Sequence, residues 1–233
     1  MKNYREFLIK RKTAQSLNKR LGIFLRLYKE YREKNNKILS ILDIGCGDNA
    51  VLFHHKMKED IYTGCDFYKK IRTPVDSYIQ IDLMTEDLSV KVKGQKFDVI
   101  FCGEVIEHLF SPDHLLGEVR KIMHEKSILI LSTPNLGYYI NRLMLLFGIS
   151  PFYLENSSKY KLGRKFGFLG QGNPTEGHIK VFTYGALVDL IRIERFKIKK
   201  IVSSSGPWNF FLDDIISLFS RSLSGTNIFV LKK

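Results

Sequence analysis

Four side chains with chemical potential fall into one pattern. Glu104, Glu107 and His108 are spaced i, i+3 and i+4, and His178 follows in the stretch GHIKVFT, just ahead of an apolar helical pattern. On one helical turn the first three would face the same side. Three uses of such a group stand side by side. Two carboxylates and an imidazole, with His178 as a fourth ligand, can hold a divalent cation (Mg, Mn or Zn) that lowers the pKa of a bound hydroxyl. Glu104, Glu107, His108 or His178 can instead take the proton of an acceptor hydroxyl directly. Or the group is a hydrogen-bonded, partly buried network without a metal.

A second stretch, ILDIGCGDN at 41–49, reads as a buried strand entering a glycine turn and then a helix. Ile38, Leu39, Ile41, Leu42 and Ile44 form the near-continuous apolar run of a central parallel strand. Gly45 and Gly47 permit a tight turn and a close ligand approach. Gly45-x-Gly47-x-x-Ala50 formally satisfies the loose dinucleotide fingerprint. Against a dinucleotide stands Asp43, a carboxylate where a pyrophosphate has to sit. A cationic ligand without phosphate suits the turn better, and S-adenosylmethionine (SAM) carries a sulfonium and an ammonium group. Asp66 ends the short strand IYTGCD and Asp82 ends YIQIDL. An acid about twenty positions past the first glycine, at a strand tip, can accept hydrogen bonds from ribose hydroxyls.

The elements that must position these residues follow from periodicity. Further strands are expected within 97–109, where a buried strand enters a helix or loop, and at 126–135, 196–203 and 227–231. Helices are expected at 111–125 (Ser111 as cap, Pro112 in the first turn), 136–147, 182–195 and 208–223. Apolar residues Phe7, Leu8, Leu17, Leu21, Phe24, Leu25 and Tyr28 recur at helical spacing over 2–34. Residues 148–178 are glycine-punctuated and irregular; a loop of that length in a compact domain is usually functional or disordered. The alternation of strands and helices predicts an α/β, doubly wound, mostly parallel sheet. It divides the chain into a basic helical extension, 1–36, and a domain, 37–233, with 148–178 as a lid.

Motif I at 41–49, the acidic strand tips and FDVIFCGEVIEHL at 97–109 together resemble the class I SAM-dependent methyltransferases over most of the chain, with Asn49 in place of a usual third glycine. The resemblance implies a seven-stranded Rossmann-like fold. It also implies a SAM site at Asp43, Gly45, Cys46, Gly47, Asp66, Phe67, Asp82, Leu83, Gly103 and Glu104. Glu-His-Leu after the fourth strand is similar to ubiquinone-type and glycan or lipid O-methyltransferases. Glu-x-x-Glu-His with a later His, and STPN at 132–135, are similar to the metal-dependent small-RNA 2′-O-methyltransferases. The expected activity is O-methylation of a small-molecule, lipid or glycan acceptor; RNA 2′-O-methylation and a non-catalytic SAM-binding protein are the alternatives.

The formal charge is +13, and residues 1–40 hold twelve Lys or Arg against three Glu. An anionic partner, RNA or an acidic membrane surface, would account for it, and so would a solvated helix face. Aromatic residues Phe152, Tyr153, Tyr160, Phe166, Phe168, Trp208, Phe210 and Phe211 can stack bases, line an apolar acceptor pocket or rest on a membrane. For the 208–223 helix, packing on the sheet is the default. Cys46, Cys65 and Cys102 are odd in number and far apart. That fits neither a disulfide framework nor a zinc cluster and points to a reducing, cytoplasmic setting, peripheral to membrane if the basic surface serves lipid. The most apolar stretch, Leu143 to Phe152, is too short to span a bilayer.

Overall fold

The structure is a computed structural model and describes residues 19–47, 57–69, 75–206, 213, 215–216 and 219–233. Phe7, Leu8 and Leu17 of the leading basic segment lie outside the described residues, as do Asn49, Ala50 and the helix expected from Val51, and Trp208, Phe210 and Phe211. Seven strands are present: β1 Ser40–Ile44, β2 Ile61–Asp66, β3 Ser77–Gln80, β4 Phe97–Gly103, β5 Met123–Pro134, β6 Lys197–Ser204 and β7 Thr226–Lys232. They form one sheet in the order β3-β2-β1-β4-β5-β7-β6. The first five are parallel, and β7 and β6 return antiparallel. The carboxyl ends of β1, β2 and β4 therefore lie side by side, where ligands bind in sheets of this kind.

Alternation along the strands sorts the core into two faces. Leu42, Ile44, Ile100, Leu129, Leu131 and Phe229 pack with the helices Pro112–Ile122 and Tyr184–Ile193. Ile41, Val99, Phe101, Ile128, Ile130 and Ile228 face the other way, onto Leu21, Phe24, Leu27 and Tyr28 of the helix 19–32. The stretch read as an extension thus supplies four of the fifteen described buried side chains of one core face from its apolar stripe.

Ser111 caps the helix Pro112–Ile122 by accepting from the His114 amide at 3.3 Å. That helix ends earlier than its apolar pattern suggests. Met123, His124 and Glu125 belong to β5, where Met123 pairs with Phe97 and a register shift follows. The third strand stops at Gln80, so Asp82 lies beyond it rather than at its tip. Phe219, expected to pack on the sheet, is 85% exposed. Residues 148–178 carry only a 3₁₀ turn, Gly167–Leu169, and a bridge between Tyr160 and Pro174. They are nonetheless built around apolar side chains: Phe152, Tyr153 and Leu169 are buried with Tyr138 and Met144.

Phe24 is the closest link between the N-terminal helix and the strand ends. Its ring stacks on Phe101 with centroids 5.7 Å apart. A Cβ added to Gly103 would lie 3.0 Å from that ring. We expect Phe24→Ala to lower the free energy of unfolding by about 3–5 kcal/mol in urea titrations, the usual cost of emptying a buried aromatic site. A loss under about 1 kcal/mol would mean that the helix is an appendage and not part of the core.

Candidate active site

At the end of β1 the chain turns through Gly45 (φ 68°) and Gly47 (φ 47°), both in the left-handed region that favours glycine. The amides of Gly45 and Cys46 both donate to the Cys65 carbonyl, at 2.9 and 3.2 Å, which stitches the turn to β2. The Gly47 amide donates to Asp66 Oδ2 at 2.8 Å, fixing that carboxylate at the tip of β2. Cys46 is buried, and a Cβ on Gly64 would lie 2.8 Å from its sulfur, so β2 needs a glycine there. Asp43 is buried beneath the turn and accepts from the Tyr62 hydroxyl. Burial raises its carboxyl to about 7, with the Tyr62 hydrogen bond pulling the other way and Asp66 adding to the rise. Phe67 is exposed just past β2, and Leu83 packs partly buried against the core. Asp82 caps its own loop, accepting from the Met84 amide at 2.9 Å while its amide donates to Glu86 at 2.9 Å.

Beyond Gly103 the chain does not enter the regular helical turn that the i, i+3, i+4 spacing suggested. Glu104 has φ 58° and the 3₁₀ turn begins only at Ile106. A glutamate in that region costs about 1–2 kcal/mol. Its carboxylate is held away from the other two, by Arg20 at 3.1 Å and by the Ser132 hydroxyl at 3.0 Å. Glu107, His108 and His178 do meet, each offering a ligand atom within 4.8 Å of the others. Glu107 is buried; Thr133 donates to its Oε2 at 2.9 Å, and its Oε1 has no hydrogen-bond partner among the described residues. Burial pushes the Glu107 carboxyl well up, and the neighbouring Glu104 carboxylate adds to it.

The two imidazole rings lie with centroids 5.1 Å apart. His108 Nδ1 is 3.0 Å from the Gly177 carbonyl and His178 Nδ1 is 3.1 Å from the Tyr153 carbonyl. A carbonyl only accepts, so both Nδ1 atoms carry hydrogen and both Nε2 atoms are the lone-pair side of the neutral ring. His178 Nε2 is 3.8 Å from Glu176 Oε2, too far for a hydrogen bond.

Several residues of this site are not singled out by sequence pattern. Glu155 accepts from the amides of Glu176, Gly177 and His178 at 2.7, 2.8 and 2.9 Å. Desolvation works against its ionised form, but those donors outweigh it and hold the carboxyl below its ordinary value. The one available signal was composition: Glu155 is the sole acid between residues 137 and 172. Ser132 and Thr133 lie in the STPN stretch, though their partners Glu104 and Glu107 were not legible there; Arg20 and the Tyr153 carbonyl act through tertiary placement and left no local signature.

The donor set fits two groups. A sulfonium and ammonium ligand matches the glycine turn flanked by Asp43 and Asp66. A divalent cation matches two imidazole nitrogens and the unsatisfied Oε1 of Glu107.

Comparison with known proteins supports the first of these. The sequence profile described as "Methyltransferase domain" matches residues 11–192. A ubiquinone biosynthesis O-methyltransferase of Rickettsia bellii is 26% identical over 102 residues, a match that spans 42% of this chain and 42% of that protein. A SAM-dependent methyltransferase from Archaeoglobus fulgidus shares the fold at TM-score 0.61 and 17% identity, covering 98% of this chain and 99% of its own. A magnesium protoporphyrin IX methyltransferase from Synechocystis PCC 6803, solved with bound SAH, shares it at TM-score 0.56 and 13% identity, covering 97% and 87%. The fold, the turn and the profile agree: the chain belongs to the methyltransferase domain family.

Proposed function

We propose that this enzyme methylates a hydroxyl oxygen of a small-molecule, lipid or glycan acceptor, and that Glu107, His108 and His178 form its acceptor side. The observation carrying this reading is the pair of Nε2 lone pairs beside the buried Glu107, at the carboxyl edge of β4 next to the glycine turn. The name of the Rickettsia bellii relative, an O-methyltransferase, points the same way.

When bound, SAM supplies a methyl group on a positively charged sulfur. The carbon–oxygen bond forms as the carbon–sulfur bond breaks, and sulfur keeps the electron pair. Asp66 would hold the ribose, and the turn at Gly45 and Gly47 would hold the methionine side. The acceptor proton goes to the Nε2 of His178 or His108, whose Nδ1–H groups stay on their backbone carbonyls. A divalent cation held by Glu107, His108 and His178 would instead acidify the acceptor hydroxyl. Glu104 stands outside that set because Arg20 and Ser132 engage it.

Transfer of labelled methyl from SAM to phenolic, glycan and RNA hydroxyls decides the acceptor. Labelling confined to RNA 2′-hydroxyls would replace this reading with the RNA one. His178→Ala should lower turnover about 10²-fold or more while SAM affinity changes less than about threefold. Calorimetry with Zn²⁺ and Mn²⁺ on the wild type and on Glu107→Gln separates the two uses of the imidazoles. Binding that Glu107→Gln abolishes assigns a metal; no binding leaves the imidazole as base.

Asp43 gives a pH prediction. Its carboxyl is raised to about 7 by burial, so its contribution to stability is present at low pH and is lost as pH rises through 7. A cationic ligand favours the ionised form and expels that proton. SAM affinity should therefore increase as pH climbs toward and past 7, and Asp43→Asn should bind SAM with a flat profile. An equally steep profile in Asp43→Asn sinks this assignment.

Glu155 is a positioning residue by its geometry, since its amide donors include Gly177, whose carbonyl fixes His108, and His178 itself. We expect Glu155→Gln to lower kcat about tenfold with little change in the KM for SAM. The ¹⁵N shifts of the two imidazoles should also move toward a mixture of tautomers. Unchanged tautomers would leave Glu155 as a loop brace only.

A further inference from the structure

The helix Tyr139–Leu146 is apolar on its solvent side. It buries Asn141 and Met144, yet Leu143, Leu145, Leu146 and the following Phe147 are 49%, 56%, 76% and 68% exposed. Beside its end, Phe166 and Phe168 are 50% and 73% exposed and stack on one another at 5.4 Å. Lys165 ties the two parts together, donating from Nζ to the Phe147 carbonyl at 3.0 Å. The display is rigidly built. The Arg164 guanidinium is buried under the loop, donates to the carbonyls of Leu169 and Phe152, and lies over the Phe152 ring at 5.7 Å. A buried cation thus holds the loop that carries two exposed aromatic rings. An exposed apolar patch of this kind marks an interaction surface.

Its charge says which kind. Glu155 is the sole acid between residues 137 and 172, and three backbone amides occupy its carboxylate. The exposed charged side chains of that segment are Arg142, Lys159 and Lys165, all cationic. A two-fold contact with a second copy would set those cations against themselves. An anionic lipid surface receives both features, apolar side chains into the headgroup boundary and cations onto the headgroups.

We infer that this face docks the enzyme onto an anionic membrane, with Leu143, Leu146, Phe147 and Phe166 entering the interface and Arg142 and Lys165 meeting the headgroups. The helix rests on the small core of Tyr138, Met144, Phe152, Tyr153 and Leu169. Tyr153 in turn lies against His178, ring centroids 6.3 Å apart. Docking therefore places the acceptor side of the site on the same insertion as the lipid contact, without any helix among the described residues that is long and apolar enough to cross a membrane. The inference stands independently of the acceptor reading, because docking needs no methyl transfer.

The test is flotation of the full chain, without SAM or acceptor, on vesicles of phosphatidylcholine alone and with about one third phosphatidylglycerol. The wild type should float with the anionic vesicles and not with the neutral ones, and raised salt should release it. Leu146→Asp combined with Phe147→Asp should lower the bound fraction about tenfold while SAM calorimetry stays unchanged. Should that double variant also lose SAM binding, Leu146→Gln alone must still lower flotation about threefold with SAM binding intact. Failure of the wild type to float, equal flotation on neutral vesicles, or undiminished flotation of the variants overturns the inference. So does a dimer, seen by light scattering, that the same substitutions convert to monomer.

Discussion

Two amides, those of Ile179 and Lys180, converge on the carbonyl of Glu107 at 2.8 and 2.9 Å, and the meeting of His108 with His178 depends on that one acceptor. It fastens the end of a long irregular segment to the turn that follows β4. Once it is made, His178 must face His108. The Gly177 carbonyl then reaches back to His108 Nδ1, and Glu155 collects the amides between. Each bond is worth only about 0.5–1.5 kcal/mol net. Six of them act on residues 176–180 together, so the segment is held by their sum and not by any one.

The same economy governs charge. Much of the basic N-terminal stretch that is described is spent inside the molecule. Lys19 donates to Ser205 at 2.7 Å, Arg20 meets Glu104 at 3.1 Å, Arg32 lies 3.3 Å from Asp60, and Lys37 meets Asp98 at 2.6 Å. Within residues 137–172 the exposed charged side chains, Arg142, Lys159 and Lys165, are all positive. Arg20 also lies near enough to Glu107 to offset part of what burial does to it. The helix 19–32 thus serves the core through Phe24 and the site through Arg20, from neighbouring turns.

The centre of the sheet was legible because β1, β4, β5 and β7 hold short apolar runs, and burial on both faces demands such runs. The pairing of His108 with His178 was legible for a topological reason: both flank segments that end at the carboxyl edge of the sheet. What escaped was local backbone shape. No spacing rule announces that Glu104 takes a left-handed φ, since that conformation is held by Arg20 and Ser132, distant in sequence. The end of the helix Pro112–Ile122 escaped for a similar reason, since tertiary pairing of Met123 with Phe97 overrode the helical pattern.

The two glycines of the turn were given the same two reasons from sequence, a tight turn and a close ligand approach, and the structure separates them on the second. A Cβ on Gly45 would lie 2.4 Å from Val105 Cγ2, so the space above Gly45 is filled by the protein itself. Among the described residues the nearest atom to such a Cβ on Gly47 is Asp66 Oδ2, at 4.0 Å, and the positive φ of Gly47 is itself a reason for glycine there. Val105 stands between Glu104 and the turn bearing Glu107 and His108. The segment proposed to carry the acceptor groups therefore closes directly on the glycine turn. Displacement of an activated methyl group needs donor and acceptor held in line within a fraction of an ångström. Close packing of Val105 on Gly45 leaves no slack between the two segments and fixes their spacing without a polar link.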